Sequence, residues 1–220
     1  MNLLRLAVIA PLLFLSCSMP PPSQQAQSSP GQQLPASMEA QGKFDYYLLN
    51  LSWSPEFCFD KPTNPQCAGH FGFVVHGLWP QFQNGGYPEN CGAEPGLSNP
   101  TQMLDLMPDL HLIEHEWLTH GTCTGLTADN YFALIRRIYS SIHIPNEFVG
   151  TPQQLNISPG QMKQRFEQLN PGLTDAGIAI ESRGPYFTAI EICYSKDGKP
   201  TPCTGVRDSR VPELRVTKVR

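Results

Sequence analysis

The sequence predicts an α+β domain: a central antiparallel-rich sheet with several helices packed on it, stapled by disulfides. Three observations carry this. Two aromatic and aliphatic runs, KFDYYLLNLSW (43–53) and HFGFVVHGLWP (70–80), read as buried strands. Segments with helical spacing separate them from a strand-and-turn segment, PYFTAIEICYSKDGKPTPC (185–203). Six of the seven cysteines fall in this same part of the chain.

The elements follow in order. Residues 1–17, MNLLRLAVIAPLLFLSC, have a charged start at Arg5, an apolar run and then small residues, the layout of an export signal. This run is short for a bilayer span. Residues 18–42 are Pro, Gln and Ser with almost no apolar content, too little to bury on folding, and are expected to act as a disordered tether. The folded domain is expected to be 43–220. Its second strand runs into Gly77 and Pro80, placing His76 at a strand end where the chain turns. NPTQMLDLMPDLHLIEHEWLTHGTC (99–123) has helical spacing broken at Pro108 and ended by Gly121. TADNYFALIRRIYSSI (127–142) is an amphipathic helix capped by Thr127 or Asp129, with Tyr131, Leu134, Ile135 and Ile138 on one face. Ser158-Pro159 opens another helix. The 185–203 segment reads as a strand, an Asp197-Gly198 turn and a return strand.

Cysteine usage fits export, since disulfides persist in oxidising compartments. Six domain cysteines allow fifteen pairings that spacing does not resolve. The seventh, Cys17, has two readings. FLSC resembles a bacterial lipobox, which would lipidate Cys17 and tether the protein to a membrane, although Phe14 stands where Leu is usual. An ordinary signal would carry Cys17 away on cleavage. Either way the expected location is outside the cytoplasm, periplasmic or extracellular. The formal charge of −4 becomes −5 without Arg5, so a protein that blankets nucleic-acid phosphates with cations is excluded. Any nucleic-acid chemistry has to rest on a local pocket. The basic tail RDSRVPELRVTKVR (207–220) reads as a final strand with solvated charges.

The chemistry concentrates in two strings. HEWLTHGTC (115–123) looks at first like a damaged zinc helix, but its histidines are five apart rather than four. Five steps turn a helix by roughly 140°, whereas Glu116 and His120, four apart, share a side. HGLWP (76–80) supplies another histidine beside a glycine. Two histidines with a carboxylate suit proton shuttling, because imidazole takes a proton and imidazolium gives one near neutral pH. Attack of a ribose 2′-hydroxyl on the adjacent phosphate needs that pair: one group removes the hydroxyl proton, the other protonates the leaving 5′-oxygen.

FVVHGLWPQ followed by HEWLTHGTC resembles the two active-site segments of the T2 ribonuclease family, secreted endoribonucleases that need no metal or other cofactor. A looser likeness extends from Phe44 through LSWSPEFC (51–58) to IEICYSKDG (190–198). The resemblance implies that His76 is the general acid and His120 the general base, with Glu116 beside His120 to orient it. His115 would contact phosphate, Trp79 would wall the site and stack on a base, and Tyr87 would contribute to the base pocket. The product would be a 2′,3′-cyclic phosphate. The resemblance also implies the disulfides Cys91–Cys123 and Cys193–Cys203, leaving Cys58–Cys67. The expected partner is RNA, with no obligate protein partner and a monomeric chain.

One position departs from the family pattern. Many members carry lysine before the second catalytic histidine, where this chain has Thr119. Such a lysine would stabilise a negative phosphorane, so either activity is lowered or another cation substitutes, with His70, Arg207 and Arg210 as candidates. Two other classes of function compete. A zinc hydrolase would gather His70, His76, His115 and His120. An exported RNA-binding or toxin-like module would keep the fold without turnover. Trp117 is assigned to the core, and His70, His111 and His143 read otherwise as structural or surface residues. Asn50 and Asn156 head N-x-S triplets, with Asn50 inside a predicted buried strand.

Overall fold

A computed structural model describes residues 41–149 and 153–219. The expectations for the export signal, for Cys17 and for most of the tether concern residues outside these ranges. Gln41 and Gly42, assigned above to the tether, are tied to the domain: the Gly42 N–H donates to the Cys123 carbonyl at 2.8 Å.

Six strands form one sheet in the order β2-β1-β5-β6-β3, with β4 (Ile178–Arg183) on β5. The strands are β1 (Tyr46–Trp53), β2 (Phe73–Gln81), β3 (Leu155–Ile157), β5 (Tyr186–Tyr194) and β6 (Leu214–Val216). All pairings are antiparallel except the single parallel pair Tyr186–Arg215 between β5 and β6. Among the described residues four α-helices accompany it: α1 (Ser54–Asp60), α2 (Leu110–Thr119), α3 (Ala128–Ser140) and α4 (Pro159–Leu169). The mixed, disulfide-bearing architecture is therefore the one the patterning predicts. α1, β3 and β4 are short elements that the sequence reading does not single out.

Local chemistry explains the helix starts. Asp109 caps α2 by accepting from the His111 N–H at 2.9 Å, immediately after the Pro108 break. Thr127 caps α3, and Ser158 with Gln161 forms a reciprocal capping box on α4. The predicted α3 face is buried: Tyr131, Leu134, Ile135 and Ile138 all lie in the core.

The two faces of the sheet differ in kind. Tyr47, Leu49 and Leu51 of β1 and Ile190, Ile192 and Tyr194 of β5 point into one apolar core. There Trp53, Phe73, Phe148, Phe166 and Phe187 pack with mostly tilted or edge-on rings, Trp53 and Phe73 at 4.9 Å between centroids, while Phe148 and Phe166 stack at 5.9 Å. The opposite face presents Leu48, Asn50, Trp79 and Glu191. It is the face that carries the polar residues.

Two expectations need correcting. His76 lies within β2 rather than at its end. Leu51 pairs with Val75 and Asn50 with Gly77, so His76 is the extra residue of a β-bulge. The bulge lets Val75 and Leu78, three apart, both enter the core, and it turns His76 off the regular alternation. The predicted return strand after Asp197-Gly198 is also absent. It is reduced to an isolated bridge between Tyr194 and Pro200, because Pro200 and Pro202 have no N–H to give a ladder.

All three implied disulfides are formed: Cys58–Cys67, Cys91–Cys123 and Cys193–Cys203. Cys91–Cys123 closes a span of 32 residues and anchors the loop before α2 to the turn after it. The Asn90 N–H reinforces this by donating to the Thr119 carbonyl at 2.8 Å. Replacing both Cys91 and Cys123 by Ser is expected to cost about 3–4 kcal/mol, from the loop length it frees. Urea unfolding checks this, and an unchanged midpoint would show that the loop is held by its hydrogen bonds alone.

Candidate active site

The site is built where α2 crosses β2. α2 leaves helical geometry at its C-cap, His120, with φ −115° and ψ −44°, and Gly121 opens a 3₁₀ turn. A side chain at 121 would collide with the Trp117 ring. That close approach seats Trp117 in the core, where its indole N–H donates to the Glu94 carbonyl at 2.9 Å. Tyr131 of α3 ties the other partner, donating its hydroxyl to the Leu78 carbonyl at 3.0 Å.

Glu116 is 1% exposed, and its two oxygens are used separately. Oε2 accepts from the Trp79 indole N–H at 2.7 Å. Oε1 lies 3.5 Å from His76 Nε2. Both contacts pass over Gly77, where a Cβ would collide with the carboxylate and with the indole nitrogen. The glycine in HGLWP is therefore a requirement of the carboxylate's position.

The structure brings together every residue proposed for the site, but in a different pairing. His76 packs against Trp79 at 5.3 Å between ring centroids, and Trp79 lies 5.4 Å from His120. Tyr87 and His115 approach His120 at 5.8 and 6.4 Å. Tyr87 is half exposed and His115 exposed. The expectation that Glu116 orients His120 is corrected: its carboxylate goes to His76 and Trp79, and only the backbone bond from His120 N to the Glu116 carbonyl, 3.1 Å, links those two. The helix ends between them, so the four-residue spacing no longer aligns their side chains. His120 Nδ1 is buried without a partner among the described residues, which leaves Nε2 as the nitrogen open to the cavity.

Burial sets the electrostatics. It pushes the Glu116 carboxyl up to about 8, against the opposing pull of the Trp79 hydrogen bond. It draws His120 down to about 4, aided by His115 and His76. His76 is lowered too, by burial first and His115 second, although 43% of its side chain meets solvent. The free site thus favours neutral imidazoles and a protonated carboxyl.

A cavity of about 460 Å³ opens beside His120, lined by Trp79, Tyr87, Gln81, Glu191 and Arg207 among others. Of the candidate replacement cations, Arg207 lines this cavity and Arg210 an adjoining recess. His70 stands apart, in a recess against the Cys58–Cys67 disulfide, so the four histidines of the zinc alternative are not gathered. Lys163, buried, fixes the Arg207 segment by donating to Asp208 at 2.5 Å. Thr119 presents its hydroxyl 3.4 Å from His115 Nδ1.

Comparison with known proteins decides the family. Residues 44–203 match the model of the Ribonuclease T2 family. The chain belongs to the ribonuclease T2 family. It is 34% identical over 165 residues to a ribonuclease of Aeromonas hydrophila, covering 71% of this chain and 74% of that one. A probable ribonuclease of Haemophilus influenzae is 33% identical, covering 74% and 62%. In fold, the chain is similar to an RNase-related protein from Calystegia sepium, with a TM-score of 0.62, 18% identity and coverage of 80% and 98%. Trichomaglin, an S-like ribonuclease, gives 0.63 at 17% identity, covering 81% and 100%. As a T2 family member the chain is a T2-type endoribonuclease.

The buried Glu116 has a measurable signature. Its folded pKa lies above its unfolded 4.5, so its contribution to stability is complete below 4.5 and is lost as pH rises toward 8. His120 has the opposite sign: its contribution is present above 6.5 and lost as pH falls toward 4. The two oppose each other below pH 6.5, and only the Glu116 loss continues above it. Between pH 6.5 and 8 the Glu116→Gln protein is expected to lose about 2 kcal/mol less stability than the native chain, at 1.36 kcal/mol per pKa unit. Urea titrations at several pH values test this, and parallel curves would show that Glu116 is ionised in the folded state.

Proposed function

We propose that this T2 ribonuclease cleaves single-stranded RNA by attack of the 2′-hydroxyl on the adjacent phosphate, leaving 2′,3′-cyclic phosphate ends. The observation that carries the reading is the cluster of His76, Glu116 and His120 around Trp79, with differently tuned proton affinities. His120, neutral and open at Nε2, is the general base on the 2′-hydroxyl. The His76–Glu116 couple is the acid. In the free protein its proton rests on Glu116, and an arriving phosphate, being negative, stabilises the imidazolium and draws the proton onto His76. His76 then protonates the leaving 5′-oxygen. No metal is required for these steps. His115 contacts phosphate, and Trp79 and Tyr87 hold a base by stacking, worth about 1–3 kcal/mol per base.

Export fits three formed disulfides and the leading segment of the sequence. We place the protein outside the cytoplasm as a monomer, either free or held by a lipid on Cys17, acting on RNA there. A second reading, RNA binding without turnover, is favoured only by Thr119, since no lysine stands at that position. Arg207 in the same cavity supplies a cation for the first reading.

Incubation of the oxidised protein with a defined RNA in EDTA, with product ends read by mass spectrometry, tests the mechanism. Cyclic phosphate ends are expected, reduced by about 10²–10⁴-fold in His76→Ala and in His120→Ala. Cleavage unaffected by either substitution would remove the assignment, and binding without cleavage would favour the second reading. Thr119→Lys is expected to raise the single-turnover rate by about tenfold or more. An unchanged rate would mean that Arg207 already fills the role. The kcat/KM profile should be bell-shaped, with an acid limb near 4 set by His120 and an alkaline limb near 8 set by the His76–Glu116 couple. A rate climbing steadily through pH 9 would contradict the couple as the acid.

A further inference from the structure

Glu191 is a second buried carboxyl on the same face of the sheet, 8% exposed, lining the cavity that opens at His120. The register places it beside Asn50, whose other neighbour is Gly77, the glycine against which the Glu116 carboxylate packs. Its surroundings are unusual for an acid. Glu56, another buried carboxylate, has Arg183 at 3.1 Å and the Thr217 hydroxyl at 2.6 Å. Among the described residues Glu191 receives one side-chain donor, the Asn50 amide, 3.1 Å from Oε1. Glu181 and Asp208 add negative charge nearby, and burial with these two pushes the carboxyl up to about 7. The Asn50 side-chain Oδ1 is itself buried without a partner among the described residues.

Glu191 is therefore short of side-chain donors among the described residues, in a cavity that Trp79, Tyr87, Arg207, Ser182 and Ser209 also line. A ligand that fits has to bring adjacent N–H groups without bringing negative charge. Among RNA bases only guanine has two neighbouring donors, N1–H and the exocyclic N2–H, on one edge. Adenine and cytosine set a donor beside an acceptor there, and the single N–H of uracil lies between two carbonyls. Guanine's two donors pair with the carboxylate and so favour its ionised form, whereas an acceptor facing that form would leave both unpaired, which is the costly arrangement. Stacking on Trp79 and Tyr87 accepts every base equally and supplies no choice.

We propose that Glu191, held by Asn50, reads guanine in the nucleotide next to the scissile phosphate. The proposal rests on the endoribonuclease reading of the same site and adds its base preference. Glu191 touches the base and not the reacting atoms, so it is a specificity residue. Glu191→Gln keeps the volume but faces guanine with one acceptor and one donor.

The test has two arms, both on the oxidised full-length protein. In the first, an RNA of mixed sequence is cleaved by the native chain and by Glu191→Gln, and every end is mapped. Guanine-adjacent sites are expected to be cut at least about tenfold faster than others by the native chain, and within about twofold in the variant. Reading the ratio within one RNA separates specificity from damage. A merely structural role would slow all sites together and leave the ratio unchanged, which overturns the proposal, as does a native chain without guanine preference. In the second arm, equilibrium binding of the four nucleoside 5′-monophosphates is compared. Tighter binding of 5′-GMP, lost in Glu191→Gln, supports the subsite even if the native chain cleaves nothing, in which case the ribonuclease mechanism fails alone. Equal binding of all four overturns it.

Discussion

The position of one carboxyl group constrains the rest of the site. Glu116 is almost wholly removed from water, yet among the described residues only one strong hydrogen bond, from Trp79, reaches its carboxyl. A buried acid with so little support favours its neutral form, and His76 stands close enough to exchange the proton. Getting the carboxyl there requires three separate features of the chain. The bulge in β2 turns His76 toward it, Gly77 leaves room for it, and the contact between Gly121 and Trp117 fixes the end of the helix that carries it. The Cys91–Cys123 bridge then ties the turn after that helix to the loop before it.

The sheet serves both stability and chemistry because its faces alternate. One face builds an aromatic core that is indifferent to pH. The other carries Asn50, Trp79 and Glu191 and faces a cavity. Neither carboxyl on the functional side, Glu116 or Glu191, has the cation that a purely structural buried acid has in Glu56. Burying acids without cations destabilises the fold at alkaline pH. It also leaves the protonation of both groups sensitive to any donor or charge placed beside them.

Much of this was legible in the sequence. HGLWP and HEWLTHGTC identify the histidines, the glutamate and the tryptophan, because their spacing follows from local geometry and from a family resemblance. The α3 face, its Thr127 cap and the Ser158-Pro159 start of α4 follow from local rules as well. The partner of Glu116 did not. Helical spacing assigned it to His120, but the helix ends at that residue, and the bulge that delivers His76 depends on how β1 pairs with β2. Asn50 and Glu191 were illegible for the same reason: each looks like a polar interruption in an apolar strand, and only cross-strand register makes them a pair. The missing return strand was signalled by Pro200 and Pro202, whose lack of donors outweighs the turn before them.

The central claim is that the His76–Glu116 couple keeps one proton, resting on the carboxyl, until about pH 8. Infrared difference spectra between the native protein and Glu116→Gln, recorded from pH 4 to 9, measure this directly. A protonated carboxyl band assigned to Glu116 should persist through neutral pH and disappear near 8. Loss of that band by pH 5 or 6, with the carboxylate band in its place, would show that Glu116 is ionised beside His76 and would contradict the account.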